Sequence, residues 1–147
     1  MFVRLALESD FDAIVEMARD NARTMPHLTF NEGRCRDTLA RYLATSNPTI
    51  WVVEDRRRAV GFLQAYWWGY DAFDGLFTVQ QVIYVHPDKR GTRASVLLMK
   101  QLVAWSEKLG AKEIIGGNDN EFNSDRTARF LEHFGFRRVG FAMRKAL

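Results

Sequence analysis

Arg90-Gly91-Thr92-Arg93-Ala94-Ser95 follows an apolar segment ending Ile83-Tyr84-Val85-His86-Pro87 and opens a long amphipathic stretch. Such a strand-to-helix turn presents unpaired backbone amides at the positive end of the helix dipole. Arg90 and Arg93 add formal charge, so the run is a candidate anion site, and a pyrophosphate is its natural guest. Other strand-to-helix turns carry Gly and Arg too, so the assignment depends on the elements around it.

The chain has 147 residues, 47% hydrophobic and 27% charged, which fits one folded domain over 1–147 with a real core. No run approaches the roughly 18 apolar residues of a membrane span. Met1-Phe2-Val3-Arg4-Leu5 lacks the pattern of a secretory leader, so a cytoplasmic location is expected. Cys35 stands alone, and His27, His86 and His133 are widely spaced, so no disulfide and no metal site are expected. A net charge of +3 suits anionic ligands, yet the basic residues are interleaved with 18 acidic ones, and nucleic-acid binding is not expected.

Around the loop, spacing predicts the elements. Phe2–Leu7 reads as a strand. Ser9 reads as the cap of a helix with Phe11, Ile14, Val15 and Ala18 on its buried face, ending before Pro26. The apolar connector Thr24–Phe30 precedes a helix capped by Asn31 and running to about Thr45. Thr49–Glu54, Ala59–Gly69 and Leu76–Val85 read as consecutive antiparallel strands, with Arg56-Arg57-Arg58 as a solvated hairpin turn. A helix over about Thr92–Leu109 leads to a buried strand at Lys112–Gly116, by a connection long enough for a parallel crossover. A last helix over about Asp125–Phe134 and a final strand over Arg137–Met143 complete the chain. Alternation sets Trp67 and Trp68 on opposite sheet faces, either as core and edge packing or as a contact surface such as a homodimer interface.

This order resembles the GCN5-related N-acetyltransferase (GNAT) family. The family's coenzyme A loop reads Gln or Arg, two residues, Gly, one residue, Gly or Ala, after a strand ending Val-x-Pro. Here Arg90 fills the first position, and Val85 and Pro87 fill the strand exit. Arg93 and Ser95 stand where the family prefers small residues, and Arg93 is read as wrapping the ligand. In the later family motif Phe130, Gly135 and Phe136 match outright, while Ser124, Thr127 and Leu131 are substitutes. Asn123 matches the family's Asn only with a one-residue shift. The resemblance implies a mixed α/β (α+β) fold with a mostly antiparallel sheet of about six to seven strands and about four helices.

It also implies acetyl-CoA as cosubstrate. Its pyrophosphate would lie on the amides of Gly91, Thr92, Arg93, Ala94 and Ser95, and its pantetheine arm beside Ile83 and Val85. Ser124 and Phe130 join the cofactor side by the same resemblance. The first two helices and their connector would shape the acceptor pocket, which makes Met25, His27 and Phe30 its candidates. Direct transfer to an amine requires a proton acceptor, a donor to the thioester carbonyl and a proton for the departing sulfur. The family's frequent Glu maps onto Gln81, and its frequent Tyr maps onto Leu131; neither can move a proton here. Tyr84, His86 and Ser124 are the remaining catalytic candidates beside Gln81. The alternative is a catalytically degenerate module that keeps the fold and engages a protein partner. An Arg-rich loop with Phe-Leu in the last helix also resembles bacteriophage sequences, which would imply a host protein as target.

Overall fold

The computed structural model describes residues 1–118 and 120–147. Strands β1 (Phe2–Leu5), β2 (Thr49–Asp55), β3 (Arg58–Gly69), β4 (Leu76–Val85) and β5 (Ile114–Ile115) lie side by side in that order. Neighbours run antiparallel except β4 and β5, which are parallel. Arg56 and Arg57 alone join β2 to β3, at φ of 50° and 64°. Positive φ at both positions suits a two-residue turn whose twist matches the strands it links. Two parallel strands need a crossover, and α3 (Ala94–Lys108) supplies it.

Alternation along β2 sends Ile50 and Val52 to one face and Trp51 and Val53 to the other. The first face is covered by α1 (Phe11–Asn21) and α2 (Glu32–Thr45), through Ile14, Val15, Met17 and Leu39. The second is covered by α3 and α4 (Ser124–Glu132), through Leu98, Met99, Leu102 and Leu131. Burying each such side chain contributes about 1.5–3 kcal/mol. Three buried hydroxyls are paired: Tyr42 donates its own to the Ala6 carbonyl at 2.7 Å, and those of Thr78 and Ser106 lie 2.7 Å apart.

One irregularity in β4 decides what faces which helices. Ala65 pairs with Gln80 and Gln64 with Val82, so Gln81 is an extra residue with no opposite number on β3. Below this bulge Thr78 points toward α3, where it meets Ser106. Above it, Val82 and Tyr84 pack with the α1 and α2 core, and Ile83 and Val85 with the α3 core. Strict alternation would have put Thr78 and Tyr84 on the same face. Gly61 lies opposite, where a Cβ would come within 2.6 Å of the Tyr84 carbonyl, so β3 and β4 require glycine there.

Several expectations are corrected. The first strand stops at Leu5, and Ser9 does not cap the helix. Asp10 accepts the Leu7 amide at 2.7 Å instead, because the guanidinium of Arg4 fixes its carboxylate there. The helix expected from Thr92 begins at Ala94, after a 3-10 turn at Pro87–Lys89. The strand expected at Lys112–Gly116 is two residues long, and Ile115 is 43% exposed rather than buried. Among the described residues the sheet has five strands rather than six or seven, and the strand expected at Arg137–Met143 does not form. Arg138 reaches Glu132 at 3.1 Å and Asp125 at 3.4 Å, which ties the start of that segment to α4. Val139, Phe141 and Met143 are left at least 80% exposed. Trp67 and Trp68 do take opposite faces, and both are exposed, with Trp68 stacked on Tyr66. No helix among the described residues is long and apolar enough to cross a membrane.

Candidate active site

The outer edge of β4 pairs with β5 only at Thr78 and Val79. From Gln80 to Val85 no strand of the described residues lies along that edge, and a cleft of about 450 Å³ opens there. Gln80 and Gly117 close its lower end, where the Gly117 amide meets Gln80 Oε1 at 3.4 Å. Asn120 Nδ2 donates to Thr24 Oγ1 at 3.1 Å and so draws the loop after β5 toward the end of α1. At the upper end the cleft reaches Val85 and Arg90.

The anion loop stands at that upper end. Gly91 takes a φ of 82°, a conformation that L side chains resist, and a Cβ there would meet open space. The Thr92 amide bonds the Lys89 carbonyl at 3.3 Å, and the Ala94 amide bonds Thr92 Oγ1 at 3.3 Å. These two are therefore removed from the expected set of five amide donors. Among the described residues, the amides of Gly91, Arg93, Ser95 and Val96 donate to no protein acceptor. Four free amides beside the start of a 15-residue helix fit a phosphate group. Arg93 turns its guanidinium to the Met1 carbonyl at 3.2 Å, away from the wrapping position expected of it. Arg90 bonds the Val85 carbonyl at 3.1 Å and lies 5.8 Å from the centre of the Tyr84 ring, which keeps its charge at the cleft mouth.

Inside the cleft, Tyr84 directs its hydroxyl at the Asp20 carboxylate across a short hydrogen bond. Burial and that carboxylate together push the phenol up to about 12. Asp20 also faces Arg23 at 3.3 Å. It is the only carboxylate among the described residues lining the cleft. Sequence reading missed it, because at position 20 it continues the polar face of an amphipathic helix. A carboxylate beside the final turn of α1 was the available signal.

The other candidates scatter. Gln81 is exposed on the cleft rim, and Ile83 and Val85 line the cleft as expected. His86 lies below the strand exit, its Nδ1 2.9 Å from Asp88 Oδ1 but outside hydrogen-bond geometry. It faces a neighbouring recess, together with Arg57 and Arg58, that shares Asp20 and Tyr84 with the cleft. Ser124 donates to Asn118 Oδ1 at 2.8 Å and so stands behind the cleft wall that Asn118 forms. Phe130 packs in the α3 core, its ring 5.2 Å from that of Phe134, and Leu131 is buried beside it. Met25 lines the cleft, whereas His27 is exposed and contributes to neither the cleft nor the pocket beside it.

That adjoining pocket, of about 230 Å³, lies between the sheet and helices α1 and α2. It shares Asn21, Met25 and Val82 with the cleft. Phe30 forms part of its wall, with the Arg19 guanidinium 4.8 Å over its ring. Cys35 lines it as well, and burial pushes this thiol above its usual range.

A sheet parted beside a strand with free amides at its exit can hold an extended ligand that carries a phosphate at one end. The profile of the acetyltransferase (GNAT) domain family matches residues 46–138, and the chain belongs to that family. Solved structures of the same shape include a transcriptional regulator from Bacillus halodurans C-125, 19% identical, with 97% of this chain and 98% of that one covered at a TM-score of 0.80. An acetyltransferase of Trypanosoma brucei is 18% identical, with 99% and 98% covered at 0.77. An aminoglycoside antibiotic 6'-N-acetyltransferase of Acinetobacter haemolyticus is 16% identical, with 99% of each chain covered at 0.73. At such identities the likeness is one of fold. No curated protein sequence matches the chain.

Proposed function

We propose that the protein is an N-acetyltransferase that moves an acetyl group from acetyl-CoA directly to a primary amine. The observation that carries this reading is the continuity of the open β4 edge with the free amides of Gly91, Arg93, Ser95 and Val96. Those amides and Arg90 would hold the diphosphate, and the backbone of Ile83 and Val85 would take the pantetheine arm. The cosubstrate brings an activated thioester carbonyl. In the balanced reaction the amine nitrogen forms a bond to that carbonyl carbon, the carbon–sulfur bond breaks, and the amine loses protons while the sulfur gains one.

Asp20 is placed to take a proton from the acceptor, directly or through one water, and Tyr84 and Arg23 orient it. Tyr84 is a poor proton donor to sulfur, since its hydrogen is already committed to Asp20 and its pKa stands at about 12. Gln81, exposed on the rim, can orient an amine or a water. Holding both reactants in one cleft supplies the rest of the acceleration, because a thioester is already reactive toward a neutral amine. The test is thiol release from acetyl-CoA across an amine panel, with CoA binding followed calorimetrically. Absence of both binding and thiol release would overturn the assignment.

A second reading has its own support. Leu131 is buried in the position of the family's frequent Tyr, and Trp67, Trp68 and Phe73 form exposed apolar surface. A module that binds CoA without turnover and docks a protein, or a second copy of itself, through those aromatics would combine these features. CoA binding with no acceptor acetylated would favour it.

A further inference from the structure

We infer that the acceptor is a small monoamine carrying one compact apolar group, with its nitrogen at Asp20 and its apolar group in the pocket between the sheet and helices α1 and α2. The inference rests on the acetyltransferase reading and narrows it. Three observations converge. The pocket walls are mainly apolar, with Ile14, Met25 and Leu39 among them; Asn21, Thr38 and Gln64 are the polar side chains, and no charged group among the described residues lines it. A dry apolar cavity of about 150 Å³ is enough to take up benzene. At about 230 Å³ this pocket holds a phenyl ring or a branched aliphatic chain.

The pocket opens into the cleft through shared residues Asn21, Met25 and Val82, one residue along the helix from Asp20. A ligand whose apolar end fills the pocket therefore sets a short-tethered nitrogen beside the only carboxylate among the described cleft residues. A charge-assisted hydrogen bond to that carboxylate holds the ammonium form on arrival. The same inventory disfavours polycations. Asp20 is already shared with Arg23 at 3.3 Å, Arg90 stands at the cleft mouth, and the carboxylates of the neighbouring recess, Asp10 and Glu16, are paired with Arg4 and Arg19, so a second and third ammonium group would meet positive charge and no unpaired carboxylate among the described lining residues.

Cys35, the chain's one cysteine, lines the pocket and reports its occupancy without any need for turnover. Iodoacetamide labelling of the full chain at alkaline pH is followed by mass spectrometry with phenethylamine, spermidine or a lysine peptide present. Phenethylamine is expected to slow Cys35 alkylation several-fold, and the other two to leave it unchanged. Ala22→Leu, which fills the pocket, is expected to abolish that protection while CoA affinity is retained. Asp20→Asn is expected to weaken protection by about 10- to 100-fold in amine concentration, through loss of the charge-assisted contact.

Failure of saturating phenethylamine to protect Cys35 in the native protein overturns the inference, whatever Ala22→Leu does to folding. Acetylation of spermidine or the peptide in preference to phenethylamine overturns it too, and leaves acetyl transfer standing. Protection of Cys35 without thiol release would uphold the pocket and its ligand class and would remove only the transferase reading.

Discussion

Tyr84 on β4 and Asp20 on α1, 64 positions apart in the chain, meet through a short hydrogen bond that closes the inner wall of the cleft. Burial first, and the Asp20 carboxylate second, raise the phenol to about 12. Its neutral form is the one the fold favours. The stability this contributes is complete below pH 10, the ordinary value for tyrosine, and is lost as pH rises through about 12. Unfolding midpoints of the native protein and Tyr84→Phe should keep a constant difference up to pH 10 and converge above it. Tyr84→Phe should also lower kcat/KM by about tenfold, the effect of one hydrogen bond to a charged group.

Arg90→Ala should weaken CoA binding, and more so at low ionic strength, where a charge at the cleft mouth acts over a longer range. Calorimetric titrations at two salt concentrations measure this. Equal affinities for native and variant protein at both would remove Arg90 from the phosphate site.

Arg4 grips Asp10 at both oxygens, at 2.7 Å and 3.0 Å, and reaches Glu54 at 2.8 Å. Burial pushes the Asp10 carboxyl up, but the Arg4 guanidinium and the Leu7 amide outweigh it and hold it below the ordinary value. Its stabilisation is therefore present above pH 4 and lost as pH falls through the depressed value. Arg4→Ala leaves the Asp10 charge unpaired and should cost about 3 kcal/mol in urea denaturation at neutral pH. A loss well under 1 kcal/mol would mean that solvent already shares the pair.

Cys35 should resist alkylation near neutral pH and gain reactivity only above pH 9, since burial favours the thiol over the reactive thiolate. Labelling rates across a pH series measure this, and fast modification at neutral pH would show the pocket to be wetter than described.

Elements held by local signals were legible in the residues. Asn31 caps α2 through the Arg34 amide as its type and place suggest, and the three long strands match their hydrophobic runs closely. Ser9 misled because Asp10 holds the N-cap position, its carboxylate bound by Arg4 of another element and by the Leu7 amide rather than by an amide of the helix. Val139, Phe141 and Met143 alternate as a strand should, yet the ion pairs of Arg138 hold the start of that segment to α4. The turn between β4 and α3 could be read from Arg90 and Gly91, both of which stay exposed there. Asp20 could not, since only the packing of α1 over β4 brings it to Tyr84.

The surplus residue Gln81 makes β4 behave like a reading frame. Losing Gln81 would leave Gln80 opposite Ala65 and Val82 opposite Gln64 in plain alternation, so Tyr84 would stay on the α1 side and Ile83 on the α3 side. A residue lost between Val82 and Val85, where the pairing is regular, would instead turn the side chains beyond it over. A change of type at the exposed Gln81 leaves the phase intact as well.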